Sequence, residues 1–124
     1  MKHLLLTTIA AVLVVGCVTN TSIYEAAEKG KIREVKLYLA AGTDVNAKDN
    51  NDGWIPLHYA AYNGRKEIAE LLISQGADMN ANDVGGRTPL DLAIQSISFP
   101  KGHPETADLL RKHGGKTGEE LKAE

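Results

Sequence analysis

Apolar residues recur at helical spacing in short segments, and glycines bound these segments. Ile68, Leu71 and Leu72 follow the i, i+3, i+4 spacing of a buried helix face. Gly64 lies before this segment and Gly76 after it. Glycine commonly ends a helix because it adopts the left-handed conformation without steric cost. The pattern therefore predicts short helices joined in pairs by tight turns.

The helix pairs recur at a fixed interval along the chain. An alanine pair, a glycine and an asparagine each return 34 residues later. They occur as Ala26-Ala27 and Ala60-Ala61, Gly42 and Gly76, and Asn46 and Asn80. Such a period is typical of folds in which one supersecondary unit cannot bury its apolar face alone and must stack on its neighbours.

The most regular stretch of the chain resembles the ankyrin repeat. Units of that family carry the pattern D-x-x-G-x-T-P-L-H-x-A-A-x-x-G and later G-A-D-x-N-A. Here PLHYAAYNG occupies 56–64 and GADMNA occupies 76–81. The resemblance implies an all-α fold, a short solenoid of stacked antiparallel helix pairs with hairpin-like connecting loops. It also implies that the protein binds other proteins and has no chemistry of its own.

Three units follow from the resemblance, and they match the family pattern to different degrees. Their ranges are about 22–49, 50–83 and 84–116. The first lacks the Thr-Pro-Leu-His turn and has Glu34 where the second has Ile68, which suits a polar N-terminal capping unit. The second has one extra residue around Asn50. The third has about five extra residues within 96–103, where proline and glycine predict a loop.

The residues after the third unit allow two interpretations. Thr117 and Glu120 have the spacing of a capping box, in which two side chains satisfy free backbone donors at a helix start. Residues 117–124 are therefore expected to form a C-terminal cap or, alternatively, a frayed tail.

The first residues have the character of an export signal. The apolar run from Leu4 to Val15 is short for a transmembrane helix, which needs about 20 residues. The sequence LVVGC at 13–17 resembles a bacterial lipobox, which implies a signal peptide at 1–16 and lipid attachment to Cys17. A short linker completes 17–21. The alternative is an ordinary signal peptide followed by an unrelated cysteine.

Location follows from the lipobox resemblance. It implies a protein anchored by lipid to a membrane of the cell envelope. In a Gram-negative host, Val18 in place of aspartate favours the outer membrane, facing the periplasm.

Charge and candidate ligands argue against several function classes. The formal net charge is −2, without the basic footprint that nucleic acid requires. His58 falls on the histidine of the family pattern, where the resemblance implies turn-to-turn hydrogen bonds rather than catalysis. His103 and His113 lack a neighbouring ligand cluster, so no metal site is expected. We expect no enzyme activity, no cofactor and no small-molecule substrate.

The resemblance places partner binding on the concave side, formed by the hairpin tips and the first helix of each unit. The positions that vary there in the two best-matching units are Asn51, Asp52, Trp54, Tyr62, Asn63, Val84, Gly85, Arg87, Gln95 and Ser96. Trp54, Tyr62 and Arg87 are expected to lie together facing solvent, and such residue types dominate interface hot spots. The alternative is that Trp54 packs over the neighbouring turn and covers backbone.

Together these features predict a membrane-tethered protein that binds an unidentified protein partner at the bacterial cell envelope. The alternative function is an inhibitor or immunity factor for a toxin or an envelope enzyme.

Overall fold

The computed structural model describes residues 21–95 and 102–124. These ranges contain seven helices and no strand: α1 Ile23–Lys29, α2 Ile32–Ala40, α3 Pro56–Tyr62, α4 Lys66–Ser74, α5 Pro89–Gln95, α6 Pro104–Lys112 and α7 Gly118–Lys122. None of these helices is long and apolar enough to cross a bilayer. The expected signal peptide at 1–16, Cys17 and most of the inserted segment lie outside the described residues.

The first six helices form three consecutive pairs that stack side by side. The first helices of the pairs contact one another, α1 with α3 and α3 with α5, and the second helices do the same, α2 with α4 and α4 with α6. Each pair therefore covers the apolar face of the next. The predicted all-α solenoid of stacked helix pairs is confirmed.

Small residues allow the first helices to approach closely. Ala26, Ala60 and Ala93 occupy equivalent positions, and each is completely buried. Leucines fill the remaining space between the pairs, among them Leu57, Leu72, Leu90 and Leu110, all at 0% exposure. Complete burial of such a side chain contributes roughly 1.5–3 kcal/mol, so the contact between pairs is the main source of stability.

A left-handed glycine turns the chain between the two helices of each pair. Gly30, Gly64 and Gly102 have φ of 76°, 66° and 66°. The residue after each glycine donates its N–H to a carbonyl of the preceding helix, as Lys31 to Ala26, Arg65 to Ala60 and His103 to Ala93. The third turn is thus built like the first two, despite the inserted residues.

This equivalence narrows the position of the insertion. Gly102 and His103 belong to the turn that recurs in each pair, so the extra residues lie between the end of α5 and Gly102. Pro104 is the first residue of α6. A proline fits there because the first helical turn does not need its missing N–H.

Asparagine side chains join the loops of successive units. The Asn46 amide accepts from the Asp78 N–H at 2.8 Å and donates to the Gly76 carbonyl at 3.1 Å. Asn80 accepts from the Lys116 N–H at 2.8 Å. The recurrence of asparagine at an interval of 34 therefore has a structural cause, because each side chain satisfies backbone groups of the following loop.

Two helices begin with a capping box, and the sequence analysis predicted the one at Thr117 and Glu120. At the start of α5, the Asp91 N–H donates to Thr88 Oγ1 and the Thr88 N–H donates to Asp91 Oδ2. At the start of α7, Thr117 and Glu120 make the same exchange. Residues 118–122 are therefore helical, and the Gly118 N–H reaches back to Asp91 Oδ2 at 2.8 Å.

We predict that Gly102→Ala destabilises the protein more than Gly76→Ala does. Both glycines have positive φ, so both variants lose about 1–2 kcal/mol to backbone strain. A Cβ at Gly102 would also lie 2.4 Å from the Ile94 carbonyl oxygen, whereas none of the described atoms lies within 4 Å at Gly76. The expected total loss for Gly102→Ala is about 3 kcal/mol or more, measured by urea unfolding. Equal losses would contradict this packing.

Candidate functional site

The second hairpin tip, residues 83–87 between α4 and α5, closes around the buried carboxylate of Asp83. Oδ1 accepts the N–H groups of Gly85 and Arg87, both at 2.8 Å, and the Asp83 N–H donates to the Arg87 carbonyl at 2.9 Å. Burial alone would raise the pKa of this carboxyl, but hydrogen bonds from Arg87, Trp54 and Gly85 outweigh it and hold the pKa below its usual value. The Asp83 carboxylate is therefore ionised at neutral pH and is paired with the Arg87 guanidinium.

The first hairpin tip, residues 49–54 between α2 and α3, repeats this arrangement around Asp49. One of its carboxylate oxygens accepts a fan of backbone N–H groups at 2.9–3.2 Å, from Asn51, Asp52, Gly53 and Trp54. The other oxygen accepts the Tyr59 hydroxyl. The Asp49 N–H donates to the Trp54 carbonyl, whereas in the second tip the Asp83 N–H donates to the Arg87 carbonyl. The loop of the first tip is therefore one residue longer. The extra residue expected around Asn50 thus lies in this loop.

Four aromatic side chains lie along the concave side, and we call them the aromatic row: Tyr24, Tyr59, Trp54 and Tyr62. The Trp54 ring centroid is 4.9 Å from that of Tyr59 and 5.5 Å from that of Tyr62. Tyr24 and Tyr59 are 5.6 Å apart. These spacings are those of interacting aromatic pairs, so the row is held in place by its own contacts.

Trp54 also joins the two hairpin tips. Its Nε1–H donates to Asp83 Oδ2 at 2.9 Å, and the Arg87 guanidinium carbon lies 6.0 Å from its ring centroid. Arg87 Nε donates to the same Asp83 oxygen at 2.9 Å. The predicted proximity of Trp54, Tyr62 and Arg87 is thus present.

Trp54 is half-buried, where the sequence predicted a solvent-facing position. The reason is the hydrogen bond to Asp83, which draws the indole over the neighbouring turn. The alternative interpretation, in which Trp54 covers that turn, therefore holds in part. The rest of the side chain remains on the concave side, beside Tyr62.

The other proposed binding residues have different surroundings. Asn51 and Asp52 are exposed at the first tip, and the Asp52 carbonyl accepts the Val84 N–H at 2.9 Å. Asn63 is half-buried, and its side chain donates to the Tyr59 carbonyl at 2.8 Å. Gln95 is exposed at the end of α5. Val84 has 78% of its surface exposed at the second tip, whereas Ser96 lies outside the described residues.

The sequence analysis missed four residues of this surface: Tyr24, Tyr59, Asp49 and Asp83. The two aspartates recur at an interval of 34, so the repeat could have indicated them as a pair. The two tyrosines are not at equivalent positions. Their contact depends on how one helix lies against the next, which no interval in the sequence states.

His58 links the second unit to the third, as the resemblance implied. Its Nδ1 accepts the Ile55 N–H at 3.1 Å, and Nε2 lies 3.2 Å from the Arg87 carbonyl. Two such bonds require the neutral imidazole with its proton on Nε2. Burial lowers the pKa of His58, although the Arg87 carbonyl opposes this effect. Ile55 cannot cap with its own side chain, so His58 supplies half of a capping box there.

Within the described ranges, no three His, Cys, Asp or Glu side chains are grouped so that they could hold a metal ion. One oxygen of each tip carboxylate is held by backbone N–H groups of its own loop. The arrangement is therefore a preformed surface with fixed charge and aromatic side chains.

Comparison with known proteins identifies the same architecture. A family model described as "Ankyrin repeats (3 copies)" matches residues 23–120. The chain is 42% identical over 78 residues to mouse protein phosphatase 1 regulatory subunit 12A and 41% identical over 71 residues to human protein phosphatase 1 regulatory subunit 27. It is 39% identical over 74 residues to mouse 2-5A-dependent ribonuclease.

The similarity covers only part of each relative. The alignments span 63%, 57% and 60% of this chain, but 8%, 46% and 10% of the respective relatives. The chain therefore corresponds to less than half the length of these curated proteins.

We predict that protonation of His58 weakens the fold. Because burial lowers its folded-state pKa, its contribution is complete above the unfolded pKa of about 6.5 and is lost as the pH falls through the folded value. The free energy of unfolding should therefore decrease between pH 7.5 and 5.0. His58→Gln should unfold about 1–2 kcal/mol more easily at pH 7.5 and show a smaller decrease. An identical pH dependence in both proteins would contradict this role, since the other histidines are common to both.

Proposed function

Because the chain belongs to the ankyrin-repeat family, we propose that it captures a partner protein on its concave side, around Trp54, Tyr62 and Arg87. The observation that carries this proposal is the set of contacts that fixes these side chains: Trp54 and Arg87 both donate to Asp83, and Tyr62 packs against Trp54. Side chains that are already fixed lose little conformational entropy on binding, which favours affinity. The protein would act by binding alone, without catalysis.

The same proposal places the protein at a bacterial cell envelope, attached through lipid on Cys17. The start of the described chain supports a short tether. The Tyr38 hydroxyl donates to the Thr21 carbonyl, and Thr21 Oγ1 donates to Glu34 at 3.0 Å. The tether would then be only the four residues Val18 to Thr21, a span of about 14 Å when extended. The binding surface would stay close to the membrane.

A second candidate is an inhibitor or immunity factor that blocks a toxin or an envelope enzyme. It is favoured by the names of two relatives, which are regulatory subunits of a phosphatase. Both candidates use the same concave surface. They differ in what happens to the partner, because only an inhibitor changes the partner's activity.

We predict that a photo-cross-linking amino acid at position 84 captures a discrete partner in the native cells. Val84 is exposed at the second tip, so replacing it should leave the unfolding midpoint unchanged. The matched control carries the cross-linker at Lys36, which is exposed on α2. Val84→Asp should weaken capture, because an added charge must be desolvated in the interface. Equal adducts from both positions, or none from position 84, would refute concave-side capture.

We predict that Cys17→Ser releases the protein from membranes. The substitution removes the thiol to which lipid would be attached, and a soluble ankyrin stack has no other anchor in this proposal. Fractionation of cells into membrane and soluble parts, with the unchanged chain as control, measures the effect. A variant that stays in the membrane fraction would exclude lipid on Cys17 as the anchor.

A further inference from the structure

A groove lies at the N-terminal end of the aromatic row, between α1 and the first hairpin tip. It has a volume of about 430 Å³, and its walls include Tyr24, Glu25, Glu28, Lys29, Asp49 and Tyr59. The two tyrosine rings are 5.6 Å apart. The groove therefore combines aromatic surface with carboxylates.

The charges of this groove are only partly balanced. Lys29 pairs with Glu25, whereas neither Glu28 nor Asp49 forms an ion pair within the described parts of the chain. Tyr59 lies in the same surroundings. Burial, the hydrogen bond to Asp49 and the negative charges of Asp49, Asp52 and Glu28 raise its pKa. The groove is thus electronegative at neutral pH.

The neighbouring unit shows which group fits such surroundings. At the second tip, the guanidinium of Arg87 is bonded to Asp83 and lies 6.0 Å from the centroid of the Trp54 ring. Asp49 is the counterpart of Asp83, and the counterpart of Arg87 is Trp54 itself, since each closes its hairpin through its carbonyl. The first tip therefore repeats the carboxylate and the adjacent aromatic ring but lacks the guanidinium.

We propose that this groove binds an arginine side chain of the partner protein. The inference rests on the proposed concave-side capture and names the chemistry of the captured segment. The guanidinium lies against the Tyr24 and Tyr59 rings and donates to Glu28 and to Asp49. Arginine is favoured over lysine because its planar group stacks on aromatic rings and presents several donors to carboxylates at once.

The test is an NMR titration of the ¹⁵N-labelled full chain with the peptide acetyl-Gly-Arg-Gly-Arg-Gly-amide. We expect amide shifts at Tyr24, Glu28 and Asn51. Two comparison peptides carry lysine or the neutral isostere citrulline in place of arginine. Lysine should bind more weakly, and citrulline should produce no saturable shift. Equal binding of the citrulline peptide would overturn the proposal, because the guanidinium charge would then be irrelevant.

Matched variants locate the site. Glu28→Gln should weaken arginine-peptide binding about three-fold, the effect of removing one exposed ion pair. Glu70→Gln, at an exposed position on α4, removes the same charge elsewhere and should leave the affinity unchanged. Equal effects of the two variants would overturn the assignment to the groove, as would shifts centred on α4 and α6.

This inference and the proposed function can fail separately. If the cross-linker at position 84 captures a partner but the arginine peptide does not bind, the arginine site is refuted and concave-side capture stands. If the peptide binds at the groove but position 84 captures nothing, the arginine site stands as a local property and the capture proposal is refuted.

Discussion

Stacking of each helix pair on the next is the constraint on which the rest of this structure depends. Each first helix packs both on its own second helix and on the first helix of a neighbouring pair, and its central alanine is fully buried. Buried polar groups reinforce the contact at the same places. His58 reaches the Arg87 carbonyl, and the third unit makes the equivalent bond through Thr88, which donates to the Lys116 carbonyl at 2.6 Å. A change that loosens one interface therefore weakens both units that share it.

The start of α7 is built by the same chemistry. The short helix α7 stands where a fourth unit would begin, and its capping box repeats that of α5. Asp91 accepts both from the Thr88 N–H and from the Gly118 N–H, so one carboxylate serves two helix starts. Thr117 and Asp91 thus satisfy backbone donors at the start of α7.

The two hairpin tips show how a repeat becomes a specific surface. Asp49 and Asp83 organise their loops with equivalent hydrogen bonds, so the backbone geometry is nearly common to both. The side chains that follow differ, since Trp54 closes the first loop and Arg87 the second. The tryptophan then joins the second aspartate, and in the described part of the chain Asp49 has aromatic rings beside it but forms no ion pair. The two tips therefore share a loop conformation but present different side chains to a partner.

The sequence by itself determined the helix pairs, their number, the capping box at Thr117 and the extra residue of the first tip. These features depend on local spacing, such as Thr117 to Glu120, or on an interval of about 33 residues. It did not determine that Trp54 would be half-buried, or that Tyr24 would lie against Tyr59. Those outcomes depend on the distance and angle between neighbouring pairs, which are set by how the buried side chains fill the interface. Only the tertiary structure could decide them, because the atoms in contact come from different units.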